Sequence, residues 1–370
     1  MGRKGADAAK PSFRWARRFS KSLEDFRVKP SQPISTQRVI NSSVERIEDW
    51  FKKADELVSP SKRRPELIFN MDETMLDSTA RKIRVIVPKD SVPIRVDSNE
   101  SEGMHITLVF CVAADGEHMK PSLVLPLKQF PFSLAELAHK FHWAGQSAGW
   151  MTAEIFKNWA INAFIPHVNA RRVAINCPNE DALLFLDSHE SRRSPDALQA
   201  LKEANIDVYT FLSHASHIQQ PLDRGVNRSF KMKISASKST ALHTTVDQRR
   251  LHLIKLAARA SYDAMYPDTI LQAWAAADIH PWHLEKMTES PYVMTKLSPE
   301  VAQKTQKRKR TAITLSEKLI TSDEVINSLK MKAKGAQEPK KSRGRPKKKR
   351  AVESSSEEQN GLSLHFSDSE

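Results

Sequence analysis

IQQPLDRGVNRSFK (Ile218–Lys231) is the stretch that decides how this chain is read. It places one acidic residue, Asp223, at a helix start, where a carboxylate meets the positive end of the helix dipole. Alone, such a residue is a turn former or a cap. Two further acids give it company, each closing an apolar run: Asp72 ends the run in ELIFNMDET (Glu66–Thr74), and Asp187 ends the run in ALLFLDSHES (Ala182–Ser191). Three carboxylates on rigid supports, where buried elements meet polar turns, are what a protein needs to hold divalent cations against a phosphodiester.

The 370 residues suffice for one substantial core plus appendages, while the hydrophobic share of 39% leaves part of the length to solvent. Two cysteines, Cys111 and Cys177, can form neither a disulfide framework nor a zinc site unaided, which suits a reducing compartment. No run of 18 apolar residues occurs and the N-terminus lacks a signal-peptide core, so no membrane role is expected. The net charge of +14 is segregated. Residues 1–64 carry 16 basic and 8 acidic groups, residues 65–300 carry 25 and 27, and residues 301–350 carry 17 and 4. The last twenty residues hold five acids and no Lys or Arg. A near-neutral body between polycationic arms fits a partner with a phosphate backbone, double-stranded DNA above all.

The pattern divides the chain at 1–64, 65–285, 286–350 and 351–370. The first segment reads as a basic linker with one helix over SVERIEDWFKKADEL (43–57), its apolar side formed by Val44, Ile47, Trp50, Phe51 and Leu57. Short strands are expected over ELIFNMD, KIRVIVP and VPIRVD, and a hairpin over 105–126 turns at Asp115-Gly116. MTAEIFKNWAINAFIPHV reads as a helix ending near Pro166. DALLFLD and IDVYTFL read as strands, with a helix between them capped by Ser194 and started by Pro195. Helices follow over LDRGVNRSFKMKI, QRRLHLIKLAARASYDAM and PDTILQAWAAADIHP. The sum is a mixed α/β body with helices flanking a central sheet, followed by a basic, largely disordered C-terminal segment and an acidic Ser-rich tail.

NMDET (70–74), HITLVFCVAADGEHMKPSLVL (105–125), GWMTAEIFKNW (149–159), LLFLDSHESR (183–192), SHASHIQQPLDRGV (213–226) and PDTILQAWAAADIHP (267–281) stand in an order that resembles the DDE superfamily endonuclease domain. That is the transposase core of pogo, Tigger and jerky elements, to which centromere protein B is also similar. The resemblance spans roughly residues 65–285. It implies an RNase H-like fold, with Asp72, Asp187 and Asp223 as the catalytic, metal-binding acids and Mg2+ or Mn2+ as cofactor, two ions per site. With 114 residues between the first two acids and 35 between the last two, the motif ends on Asp and not Glu, a version with Asp as the third ligand. His189 and His217 stand where many relatives carry histidine and are expected to shape the pocket or meet the DNA backbone; Glu73 reads as a neighbour of the site and not a ligand. Where relatives often carry His after the second acid, this chain has Arg192. Relatives also begin with paired helix-turn-helix units, and about a hundred residues of these are expected to be missing, with SFRWARRFSKSLEDF (12–26) resembling the tail of the second.

Arg343, Gly344, Arg345 and Pro346, followed by Lys347 and Lys348, resemble an AT-hook. An extended Arg-Gly-Arg fits a narrow minor groove because Gly has no side chain to meet its walls. The same residues, or QKRKR (306–310), could serve nuclear import, so the nucleus is the expected location. ESSSEE and SDSE in the tail resemble acid-directed kinase sites, or simply solubilise. Two functions remain open on this evidence: a metal-dependent transposase-type endonuclease, possible as a homodimer because two DNA ends need two sites, or a catalytically silent chromatin protein derived from one.

Overall fold

β1 (Ile68–Leu76) is the strand around which the sheet is built. On one side it pairs antiparallel with β2 (Ile106–Ala113), which pairs antiparallel with β3 (Ser122–Leu125). On its other side lie β5 (Ala182–Leu186) and β6 (Ile206–Thr210), both parallel to their neighbours. β4 (His142–Gly145) adds a parallel edge beyond β3, giving the order β4-β3-β2-β1-β5-β6. An antiparallel meander joined through its first strand to two parallel strands is the RNase H-like arrangement that the family resemblance implied. The computed structural model describes residues 36–76, 105–129, 131–237, 245–290 and 315–337, with isolated positions elsewhere. The expected strands over 82–88 and 92–97, the tracts 306–310 and 340–350 with the AT-hook-like residues Arg343–Lys348, and the acidic tail lie outside the described residues.

β1, β2 and β5 are buried on both faces, so their side chains supply two cores by alternation. Ile68, Leu108, Phe110, Leu183 and Phe185 face a layer made of α1 (Val44–Val58), α5 (Val226–Ser237), α6 (Val246–Ala264) and α7 (Pro267–Ala276). Phe69, Met71, Val109, Leu184 and Leu186 face α2 (Ala153–Trp159), α3 (Ile165–Ala174), α4 (Pro195–Glu203) and α8 (Asp323–Gln337). The hairpin, the Ser194 cap on α4 (its hydroxyl accepts from the Ala197 N–H, 3.4 Å) and Pro195 at the first turn stand where the sequence placed them.

Four expectations change. The helix through MTAEIFKNWAINAF does not end near Pro166: a π-helical turn, Ala160–Phe164, precedes it and α3 runs on to Ala174. Widening the turn before Pro166 accommodates a residue with no N–H to donate and a ring that would crowd an ordinary α-turn. α1, read as part of a linker, belongs to the body. Trp50 is fully buried, its indole N–H donating to the Thr210 carbonyl (2.9 Å) and its ring packed against Phe185, Tyr209, Phe211 and Trp282. Leu57 is exposed, because the buried stripe runs through Ile47, Trp50, Phe51, Ala54 and Val58 instead.

The fourth change concerns residues 315–337, assigned by their basic surroundings to a disordered segment. They fold. Residues 318–321 run along the outer edge of β6: the Thr210 N–H donates to the Lys318 carbonyl (3.1 Å), Ile320 N–H to the Val208 carbonyl (2.8 Å), and Val208 N–H to the Thr321 hydroxyl (3.1 Å). Leu315, Ile320, Val325, Ile326 and Leu329 bury themselves in the second core. Ile320→Ala is therefore expected to cost about 2–5 kcal/mol in urea unfolding. Met331→Ala, on the exposed side of α8, should stay within about 0.5 kcal/mol. A solvated tail would make both silent.

Candidate active site

Asp72 is not at the end of β1 but inside it. The parallel pairing of β1 with β5 runs only from Ile68–Leu183 to Asn70–Phe185. Continuing that register by two residues brings Asp72 level with Asp187, the first residue beyond β5, on adjacent strands about 4.8 Å apart. The apolar run ends at Met71 because there the sheet opens towards solvent. Asp72 remains only 8% exposed, while the Asp187 side chain is 35% exposed.

Asp223 reaches the same end of the sheet through two devices in IQQPLDRG. Asn70, fully buried, donates through Nδ2 to the Phe185 carbonyl (3.1 Å) and accepts through Oδ1 from the Leu222 N–H (3.1 Å). One amide thus ties β1, β5 and the short helix Pro221–Arg224 together. Gly225 follows. A Cβ there would lie 2.5 Å from the Ala273 Cβ, so only glycine lets this turn close on α7. Upstream, Gln219 is also buried and its Oε1 accepts from the Leu212 N–H (3.1 Å).

Two side chains link the acids. Asn227, 3% exposed, donates through Nδ2 to Asp72 Oδ2 (2.8 Å) and to Asp223 Oδ1 (3.3 Å). Arg192, wholly buried, grips Glu73 with both terminal nitrogens (2.7 and 2.6 Å) and reaches Asp187 Oδ1 at 3.2 Å. Its guanidinium also lies 5.1 Å from the centre of the Phe156 ring. Sequence reasoning noted Arg192 as a departure and Glu73 as a neighbour, but gave neither Asn70 nor Asn227 a part. The only signal for the two asparagines was position, Asn70 two residues before Asp72 and Asn227 four after Asp223.

The charges divide accordingly. Burial, with the repulsion of Asp223, Glu73 and Asp187, raises the Asp72 pKa well above the carboxylate range against the pull of Arg192. Burial also raises Asp187, with Arg192 opposing. Burial alone would raise Glu73, yet the Arg192 guanidinium outweighs it and holds Glu73 low. Arg192 itself stays cationic, its neighbours' negative charge overriding its burial. Among the expected pocket histidines, His189 caps the turn Glu190–Arg192, its Nδ1 accepting from the Ser191 N–H (3.3 Å). His217 lies on the short helix Ser216–Gln219, one turn before Asp223, and burial, with Arg38 and Arg224 near, lowers its pKa.

Among the described residues no three His, Cys, Asp or Glu side chains form a ready metal cluster. The Asn227 amide lies between Asp72 and Asp223, and a guanidinium lies against Asp187. The donor chemistry nonetheless suits a hard divalent cation: carboxylate oxygens, whose repulsion adds to burial in raising the Asp72 pKa, and a buried Asn227 Oδ1 without a hydrogen-bond partner among the described residues.

The sheet order is RNase H-like, and Asp72 lies near both Asp187 and Asp223 at one end of β1 and β5. Residues 104–274 match the family model described as DDE superfamily endonuclease, a span that holds Asp187 and Asp223 and begins after Asp72. The matched span is a little under half of the chain. The chain is 21% identical over 211 residues to the Jerky protein of Mus musculus, covering 57% of this chain and 36% of that protein. It is 28% identical over 127 residues to the Jerky protein homolog of Homo sapiens, covering 34% and 22%. The chain therefore spans about a third or less of the curated relatives it matches. The structure of a pre-cleavage Mos1 transpososome is similar at a TM-score of 0.44 and 11% identity, over 71% of this chain and 70% of that one.

The raised Asp72 pKa fixes a pH dependence. The native state keeps a proton that the unfolded chain gives up near pH 4, so this group's contribution to stability falls as pH rises from there towards the raised value. Asp72→Asn removes the term. Without divalent ions, the variant should melt at least about 2 °C above the parent at pH 7.5, the shift that roughly 1 kcal/mol produces in a domain of this size. At pH 4 the gain should vanish, which paired thermal melts at the two pH values would check.

Proposed function

We propose that this domain is a transposase-type DNA endonuclease core in which Asp72, Asp187 and Asp223 hold Mg2+ or Mn2+ against a DNA phosphodiester. The observation that carries the reading is the approach of Asp187 and Asp223, from two further elements, to Asp72, whose ionisation is suppressed first by burial and then by these neighbours. A fold gains no stability from such crowding, and a cation relieves it. When bound, the cation supplies activation of the attacking oxygen and stabilisation of the leaving one. The protein's own part is positional. Asn70 holds the third acid beside the strand pair, and Arg192 steadies one oxygen of Asp187.

DNA is the partner because the arms on either side of the neutral body are polycationic. In this reading Arg343, Gly344 and Arg345 enter the minor groove, Lys347 and Lys348 meet phosphates, and the protein acts in the nucleus, as a homodimer where two DNA ends are cut. A second reading has a specific observation in its favour: Arg192 and Asn227 already satisfy the acids, as they would in a silent DNA-binding relative.

Supercoiled plasmid separates the two. With Mn2+ or Mg2+ the parent chain should convert it to the nicked form, and Asp187→Ala should leave it at background. Plasmid that stays supercoiled with the parent, under conditions where the protein binds it, sinks the enzyme and leaves the silent binder. Separately, replacing Lys347 and Lys348 by Ala should lower the slope of log K against log salt by about 2 on an AT-rich duplex.

A further inference from the structure

Asn227 is the second residue of α5 and one of the most enclosed polar side chains at the site, 3% exposed. Its Nδ2 stands between two carboxylates that belong to different elements, 2.8 Å from Asp72 and 3.3 Å from Asp223. Its Oδ1 is buried and has no hydrogen-bond partner among the described residues. An amide with one end doubly engaged and the other unsatisfied is an uneven use of a buried group that offers two donors and an acceptor. An N–H donor between two carboxylates offers each a hydrogen bond and so eases their mutual repulsion.

A carboxamide is nearly symmetric in shape, so half a turn about its terminal torsion exchanges oxygen for nitrogen while displacing almost nothing around it. The exchange inverts its electrostatics. With Nδ2 inward the amide takes the place of a cation, and with Oδ1 inward it becomes a third hard oxygen beside Asp72 and Asp223. Side-chain amide oxygens are ordinary ligands for divalent ions of this kind.

We infer that Asn227 is a ligand of the divalent cation, its amide turning over as the ion enters. This rests on the reading that Asp72 and Asp223 hold such an ion. Asn227 is then a gate and a ligand in one side chain: it keeps the acids apart when no ion is present and supplies oxygen when one is. The proposal gives the QPLDRGVN stretch two ligands, Asp223 and Asn227, with Gly225 between them bringing the turn against α7.

The alternative is that the amide is a spacer that competes with metal, and the two differ in sign. Mn2+ titration of the full chain, followed by calorimetry and by the electron paramagnetic resonance signal of free Mn2+, gives the affinity without any reaction. A lost ligand makes Asn227→Ala bind Mn2+ about tenfold more weakly than the parent, within the range that removing a supporting group at a metal site produces. A lost competitor makes it bind as tightly or more so. Asn227→Leu, which refills the buried volume, gives the same comparison if the alanine variant does not fold. Asn227→Asp adds a like charge beside Asp72: its metal-free melting temperature should fall below the parent's, and Mn2+ should raise it by more than it raises the parent's. Binding by Asn227→Ala or Asn227→Leu within twofold of the parent, or tighter, overturns the inference and leaves the metal reading intact. A parent that binds Mn2+ no better than Asp72→Ala brings down the metal reading and the role of Asn227 together.

Discussion

Asn70 is the side chain on which the arrangement of the site turns. Its amide fills two obligations at once, donating to a carbonyl of β5 and accepting from the backbone of the Pro221–Arg224 turn. Neither group has water to fall back on, because Asn70 is fully buried, and an unmade bond there costs about 1–3 kcal/mol. The consequence is geometric. Asp72 lies two residues along the same strand, Asp187 two residues beyond the bonded carbonyl, and Asp223 one residue after the bonded N–H. Each acid is thus one or two residues from a shared fixed point. Gly225 completes the constraint from outside by letting the turn press on Ala273.

Around that point the sheet's alternation sorts the acids by role. Asp72 and Glu73 are neighbours in sequence, yet they project to opposite faces of β1. Glu73 meets an arginine on its side, which holds its pKa low; Asp72 is raised by burial and by the other acids around it. A buried ion pair such as Glu73–Arg192 adds little net stability by itself, because its desolvation offsets its attraction. Its value lies in geometry. A guanidinium that gives two of its five N–H groups to Glu73 and one to Ser191 Oγ turns a further one to Asp187, so Arg192 holds that carboxylate by one oxygen. Lysine, with a single rotatable head, could not reproduce the fork.

Most of this fold was legible in the chain. Alternating or continuous apolar runs marked β1, β2, β5 and β6, Ser194-Pro195 marked the start of α4, and Asp115-Gly116 marked the hairpin. Asp72 and Asp187 stood out because each ends an apolar run, and Asp223 because it opens a helix. What was hidden depended on partners distant in sequence. Asn70 looks like any polar residue until a backbone N–H 152 positions away is known to bond it. Arg192 sits in SHESRRSP, a stretch with the composition of a solvated loop, and its burial follows only from where Glu73 points. The π-turn before Pro166 could not be foreseen either, since proline advertises an ending and not the widened turn that evades it. Residues 315–337 were misjudged because the basic residues around them outweigh five apolar ones whose partners lie on β6 and α4.

That last segment bears on how the protein is made. β6 ends at Thr210, and the backbone that covers its outer edge arrives with residues 318–321. At about 5–20 residues per second, a ribosome needs roughly 5–20 s to cover that interval. Throughout it, Val208, Tyr209 and Thr210 present an open edge, the kind of template on which a strand from another nascent chain can settle. The C-terminal strap is therefore the piece that ends the period in which this sheet can be completed by the wrong molecule. Chains on crowded polysomes, or chains whose synthesis stalls within the basic stretch before residue 315, remain in that period longest.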